Sequence, residues 1–93
     1  MIVFVDIDGT ICSHTDGQYD KARPWPEAIE KINQRYRDGE TIIYWTARGT
    51  TTGKDWRPLT EKQLREWGAM YHELRFGKPY YDLMICDRTQ NKA

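Results

Sequence analysis

Apolar and polar positions fall into short blocks along this chain. Residues 2–7 form a continuous apolar run, rich in β-branched side chains and broken only by Asp6. Continuous rather than alternating apolarity suits a strand covered on both faces, as in a parallel sheet. Residues 12–24 (CSHTDGQYDKARP) are polar, contain Gly17 and Pro24, and read as a loop. Pro26-Glu27 then opens a helix, because proline suits the first turn and an acid there complements the helix dipole. Ala28, Ile29, Ile32 and Tyr36 follow at helical spacing, and Asp38-Gly39 closes the helix. Residues 41–45 (TIIYW) are a second β-rich run, ending at Thr46. Residues 47–58 (ARGTTTGKDWRP) are a second polar loop with two glycines. Residues 59–67 read as a helix with Leu64 and Trp67 on its buried face and Gly68 as its stop. Residues 71–76 make a weaker strand, Gly77-Lys78-Pro79 a turn, and residues 82–86 (DLMIC) a last short strand with Asp87 at its end.

Strand, helix, strand, helix, strand is the pattern of an α/β layered domain with a small, mainly parallel sheet. Ligands of such sheets bind outside the carboxyl ends of the strands. Asp6 and Asp8 follow the first strand, Thr46 the second and Asp87 the last, while Lys78 lies in the turn before that last strand. These groups therefore share one predicted edge. Two carboxylates at the end of a buried strand carry a Coulomb and desolvation cost that stability alone would not select. A cation relieves it, and oxygen-only donors suit Mg²⁺, which often shares its shell with a phosphate. A carboxylate in such a place can attack phosphorus, and a second carboxyl can act as acid to the leaving oxygen and base to water. Alternation along a straight strand would put Asp6 and Asp8 on one face. The Thr46 hydroxyl, the Lys78 ammonium and the amides of Gly9 and Thr10 are the expected holders of the phosphoryl oxygens.

Composition narrows the function classes. At 93 residues the chain has room for one domain, 1–93, with one core. Lys plus Arg number 14 and Asp plus Glu 14, a balance that argues against a general nucleic-acid binder. No stretch is long and apolar enough to span a membrane, and no leader pattern precedes the first strand. Two cysteines are too few for a disulfide framework, so a protein of a reducing compartment, most simply cytoplasmic, is expected; the polar edge described above suits a small phosphorylated substrate. Four Trp and six Tyr would suit the interface of a homo-oligomer.

Asp6-Ile7-Asp8-Gly9-Thr10 resembles the DxDGT signature of the haloacid-dehalogenase (HAD) superfamily. Thr46 in IIYWTARG, Lys78 in FGKP and Asp87 in DLMICDR resemble its second, third and fourth signatures, in the right order. The similarity spans Ile2 to Arg88, and WTARG, FGKP and DLMICDR look nearest to the small capsule-biosynthesis-type HAD phosphatases. The resemblance implies a three-layer Rossmann-like domain without a cap and an Mg²⁺-dependent phosphatase acting through an aspartyl-phosphate. It makes Asp6 nucleophile and metal ligand, and Asp8 acid/base and a ligand through its backbone carbonyl. Thr46 and Lys78 then hold the phosphoryl group, and Asp87 is a further metal ligand. Two frames fit the last signature. A pair of adjacent acids would put Cys86 in the first acidic place, whereas a Gly-Asp-Arg frame puts Cys86 in the glycine place and Asp87 in the ligand place; the second is preferred. The alternatives of other classes are a non-catalytic HAD-like binding or assembly module and a nucleic-acid end-processing 3′-phosphatase.

The remaining candidates divide between chemistry and structure. Arg48 is expected either to bind substrate phosphate or sugar oxygens or to form a surface salt bridge. His14, Arg23, Lys54 and Arg57 lie in the two loops framing the mouth and read as solvated. Trp56, in a polar loop, is either a stacking platform for a ring or a packing residue. Cys12 and Cys86 read as small buried apolar residues, His72 as structural, and Asp82 as the start of a strand.

Overall fold

The computed structural model describes residues 1–50 and 52–78. Three strands, β1 (Ile2–Val5), β2 (Thr41–Trp45) and β3 (Glu73–Arg75), form a sheet in the order β1-β2-β3, with both pairings parallel. Helix α1 (Pro26–Arg37) joins the first two strands and α2 (Arg57–Glu66) the second two. The register sets Val5 opposite Tyr44 and Tyr44 opposite Leu74.

Both crossovers step the same way across the sheet, and right-handed connections then put both helices on one face. The core agrees. Val5, Ile42, Tyr44 and Leu74 from the sheet form one cluster with Ile29 of α1 and Leu64 of α2. Tyr44, Ile42 and Leu64 are fully buried, at about 1.5–3 kcal/mol for each large apolar side chain removed from water. Asn33, also buried, ties the helical layer together: its amide donates to the Gly68 carbonyl at 2.9 Å, and its carbonyl accepts the Met70 N–H at 2.8 Å. On the opposite face Ile2 and Phe4 are exposed, with the Phe4 ring against Trp45 at 5.7 Å. The described residues thus supply the sheet and one helical layer, with no further domain inserted among them. The strand expected at 82–86, and Asp82, Cys86 and Asp87 with it, lie outside the described residues.

Two strands are shorter than the apolar pattern suggests. β1 ends at Val5 rather than Ile7 because the chain turns: the Ile7 carbonyl accepts the N–H groups of both Thr10 and Ile11 at 3.0 Å. β3 covers three residues of the expected 71–76. There His72 replaces a strand residue, accepting the Ile42 N–H on its Nδ1 at 3.1 Å and donating its own N–H to the Ile42 carbonyl at 2.8 Å. His72 is therefore structural, as expected. α2 begins two residues earlier than expected, at Arg57, whose N–H donates to the Asp55 carboxylate at 3.0 Å, with Pro58 in its first turn.

The loop after β2 depends on one glycine. Gly49 has φ +80°, and a Cβ there would overlap the Lys54 carbonyl oxygen and press on the Trp56 ring. The Gly49 carbonyl also closes the loop by accepting the Gly53 N–H at 2.7 Å. Gly49→Ala therefore combines a left-handed conformation, costly by about 1–2 kcal/mol, with a backbone collision. It is expected to lower the urea midpoint well beyond what Gly53→Ala does, since a Cβ at Gly53 meets nothing within 4 Å.

Candidate active site

The three strand ends bring the sequence candidates to one rim. Asp6 follows Val5 directly, Thr46 follows Trp45, and Lys78 comes three residues after Arg75. Backbone bonds hold these ends together: the Thr46 N–H donates to the Arg75 carbonyl at 2.9 Å, and the Lys78 N–H to the Thr46 carbonyl at 3.1 Å. The Thr50 hydroxyl donates to the Lys78 carbonyl at 3.2 Å, fixing the turn that carries the lysine.

The chain turns at Ile7, between the two aspartates. Straight-strand alternation would have left them side by side, but β1 has ended by then and each faces its own cation. Asp6 points toward the Lys78 ammonium, 3.9 Å away, and its other oxygen accepts the Ile7 N–H at 2.9 Å. Burial pushes the Asp6 carboxyl above its ordinary value and the charge of Asp8 adds to the push, while Lys78, the Ile7 N–H and His14 oppose it. Asp8 is gripped by Arg48. Its Oδ2 accepts from Arg48 Nε at 3.0 Å and its Oδ1 from Arg48 Nη2 at 2.9 Å, a two-pronged ion pair.

Arg48 itself is turned away from solvent, its side chain 0% exposed. Its Nη1 donates to the Thr60 hydroxyl at 3.0 Å and to the Gln63 side-chain carbonyl at 2.7 Å, both on α2. Its guanidinium lies over the Tyr19 ring at 4.7 Å. Arg48 does form a salt bridge, but a buried one rather than the surface pair expected, and a substrate-binding Arg48 is corrected too: its donors are spent inside the protein. The amides of Gly9 and Thr10 call for the same correction. Gly9 N–H donates to the Cys12 carbonyl at 2.8 Å and Thr10 N–H to the Ile7 carbonyl at 3.0 Å, so neither is presented to a ligand. Thr46 is buried, and its Oγ1 accepts the Arg48 N–H at 3.1 Å, which leaves the hydroxyl proton for donation.

Trp56 is not an open platform. Tyr19 meets its ring edge-on at 4.9 Å and the Lys54 ammonium lies over it at 4.9 Å. Arg57, exposed in part, lies over Phe76 and donates to the Leu74 carbonyl at 3.2 Å. Cys12 is buried, its thiol pushed up to about 12 by burial first and the charge of Asp8 second, so it has little thiolate to offer.

The described members of this rim can do two things together. Asp6 offers a carboxylate oxygen next to a cation, and Asp8 offers a second, oriented carboxyl two residues on. For a metal, the Asp6 carboxylate and the Asp8 main-chain carbonyl are hard oxygen donors of the kind Mg²⁺ takes, and no thiolate competes among them. The described residues contain no cluster of three acidic, His or Cys side chains, and the remaining expected ligand, Asp87, lies outside them.

No family model and no curated protein matches the chain. Two solved structures resemble it. A structural-genomics target from Vibrio cholerae superposes with a TM-score of 0.80 at 28% identity, over 94% of this chain and 80% of that one. A D,D-heptose 1,7-bisphosphate phosphatase from B. bronchiseptica, crystallised with magnesium and phosphate, superposes with a TM-score of 0.60 at 18% identity, over 91% of this chain. The chain spans 54% of that phosphatase. The α/β fold with its parallel sheet is thus similar to that of this heptose bisphosphate phosphatase. Among the described residues no helix is long and apolar enough to cross a membrane.

Four contributors escape a reading of the sequence. His14, exposed in its loop, packs its imidazole against Gly9 so closely that a Cβ there would collide with it, and its charge acts on Asp6. Tyr19, Thr60 and Gln63 surround Arg48. The last two did leave a signal. Thr60, Gln63 and Leu64 fall at helical spacing on the buried stripe of α2, with the partly buried Trp67 just past its end, and two of the four are polar, so those two needed a buried partner.

Proposed function

We propose that the protein is a HAD-type phosphohydrolase that cleaves a phosphate monoester through an aspartyl-phosphate on Asp6. The observation that carries this reading is the meeting of Asp6 with Lys78 at the carboxyl rim of a parallel sheet, with a second oriented carboxyl on Asp8. In the first step an Asp6 carboxylate oxygen forms a bond to phosphorus as the bond from phosphorus to the ester oxygen breaks. The electron pair of that bond goes to the leaving oxygen, which takes the proton of the Asp8 carboxyl. In the second step Asp8 accepts a proton from water, the water oxygen attacks phosphorus, and the Asp6 carboxylate is released with phosphate. Lys78 and the Thr46 hydroxyl face the phosphoryl oxygens, whose charge must be held throughout. Mg²⁺ would be held by the Asp6 carboxylate, the Asp8 main-chain carbonyl and Asp87; when bound it supplies positive charge to the phosphoryl oxygens.

The substrate class we favour is a phosphosugar, supported by the fold likeness to a heptose bisphosphatase. The narrower likeness to capsule-biosynthesis-type phosphatases rests on WTARG and FGKP. The test is hydrolysis of a nitrophenyl phosphate and of a panel of sugar phosphates, with added Mg²⁺ and with a chelator. Turnover that requires Mg²⁺ is expected. Turnover that survives both the chelator and loss of the Asp6 carboxylate would refute the reading. A folded protein that turns over nothing and binds no Mg²⁺ by calorimetry would point instead to a non-catalytic module.

A further inference from the structure

We infer that Arg48 is the positioning residue of the reaction: it fixes the rotamer of Asp8 so that the carboxyl faces the leaving oxygen. The inference rests on the phosphohydrolase reading above and adds to it a residue that never touches substrate. Asp8 sits beyond the end of β1, joined only by an isolated bridge to Cys12, whose thiol makes one weak 3.5 Å contact with Oδ1, so no strand holds its side chain. An aspartate there would sample several rotamers. The two-pronged contact at 3.0 and 2.9 Å removes that freedom, because a planar guanidinium matches a carboxylate in one orientation.

The guanidinium is in turn fixed on every side. Thr60 and Gln63 hold Nη1, Tyr19 lies against its face, and the main-chain N–H of Arg48 binds the hydroxyl of Thr46. Gln63 also donates to the Tyr19 carbonyl at 2.6 Å, which joins α2 to the loop before α1. The chain of contacts therefore runs from two rigid elements to Asp8 through one side chain. A carboxylate has about four lone-pair sites; Arg48 occupies one on each oxygen and the Cys12 thiol, 3.5 Å from Oδ1, a second on that oxygen. The remaining site, on Oδ2, can carry the proton that passes to the leaving oxygen, so the grip orients Asp8 without blocking it.

A residue that places the acid matters in proportion to how much the leaving group needs a proton. A nitrophenolate departs without one, whereas an alkoxide does not. The experiment compares kcat/KM for a nitrophenyl phosphate and an alkyl phosphate in the wild type, Asp6→Asn, Asp8→Asn, Arg48→Lys and Gln63→Leu. Lysine keeps the charge but cannot reproduce the fork. Arg48→Lys is expected to lower kcat/KM for the alkyl ester about tenfold more than for the nitrophenyl ester. Asp8→Asn should show the same selectivity more strongly, and the two changes combined should be far from additive. An equal loss on both esters overturns the positioning role, because a merely structural defect is blind to the leaving group. If Arg48→Lys does not fold, Gln63→Leu decides, since it frees one prong of the support and leaves the ion pair: a smaller shift of the same kind, about threefold, is expected, and an unchanged ratio overturns the proposal. A wild type without turnover, or an active Asp6→Asn, removes the underlying reading and the proposal with it. Asp6-dependent turnover with an unchanged ratio in Arg48→Lys removes the proposal alone.

Discussion

Replacing Asp6 by Asn is expected to lower kcat/KM for phosphate monoesters by at least about 10³-fold and, in metal-free buffer, to raise the melting temperature. The two effects share a cause. Asp6 is held above its ordinary value by burial and by the neighbouring charge of Asp8, so its ionised form is disfavoured in the folded state. A carboxyl raised in this way binds more protons folded than unfolded. Stability therefore falls as pH rises from about 4, the unfolded value, through the raised folded value, and stays lower at neutral pH. Asn has the same shape, keeps a carbonyl for the Ile7 N–H and carries no charge, so the penalty and its pH dependence both vanish. The Asp6 side chain is 42% exposed, and solvent screening keeps the gain modest. Thermal scans of both proteins with a chelator between pH 4 and 8 check the sign: the curves should separate as pH rises. A carboxylate that is simply paired and stabilising would give the opposite order.

Arg48→Met is expected to be the most destabilising single change in the site. It removes a fully buried cation and strands three partners, the Asp8 carboxylate, the Thr60 hydroxyl and the Gln63 carbonyl. Breaking one partner out of a buried ion pair costs about 3–5 kcal/mol, because the other charge remains without compensation. Asp8 keeps 17% of its side-chain surface in contact with solvent, which places the expected cost near the lower end. With a urea m-value of about 1 kcal/mol/M for so short a chain, the midpoint falls by roughly 3 M or the protein unfolds without denaturant. Asp8→Leu added to Arg48→Met should recover part of the loss, since it removes the stranded charge. Equal stability of Arg48→Met and wild type would mean that the ion pair does not form.

Much of the fold was legible because each element had a strong local cause. The run TIIYW became β2 without error: it is β-branched, short and bounded by Gly39 and Thr46. α1 began at its Pro and ended at its Asp-Gly for equally local reasons. What the pattern misjudged were strand ends. Ile7 is apolar and fully buried, and periodicity cannot distinguish a buried strand residue from one in a turn whose carbonyl accepts two amides. The alternation expected of a straight strand would have needed β1 to run on to Asp8. An uninterrupted strand would pair Asp6 with Asp8, whereas the turn gives one to Lys78 and the other to Arg48.

The candidate chemistry was legible as residue types at one edge, but not as partnerships. Asp6 and Lys78 could be placed together because both follow strands of one sheet. Arg48 offered two meanings, and its burial depended on Thr60 and Gln63 from α2, which reach it only once the loop between β2 and α2 folds back on the helix. The inward turn of the Gly9 and Thr10 amides is local instead: each bonds a carbonyl three residues away, Cys12 for Gly9 and Ile7 for Thr10.

The central claim is that phosphorus becomes covalently attached to Asp6. Acid quenching of the protein during turnover of a substrate labelled in its phosphoryl group, followed by peptide mapping, tests it directly. The expected result is an acid-stable, base-labile label confined to the peptide that contains Asp6, and its disappearance in Asp6→Asn. Steady turnover with no label on the protein at any quench time, or label carried on another residue, would contradict it.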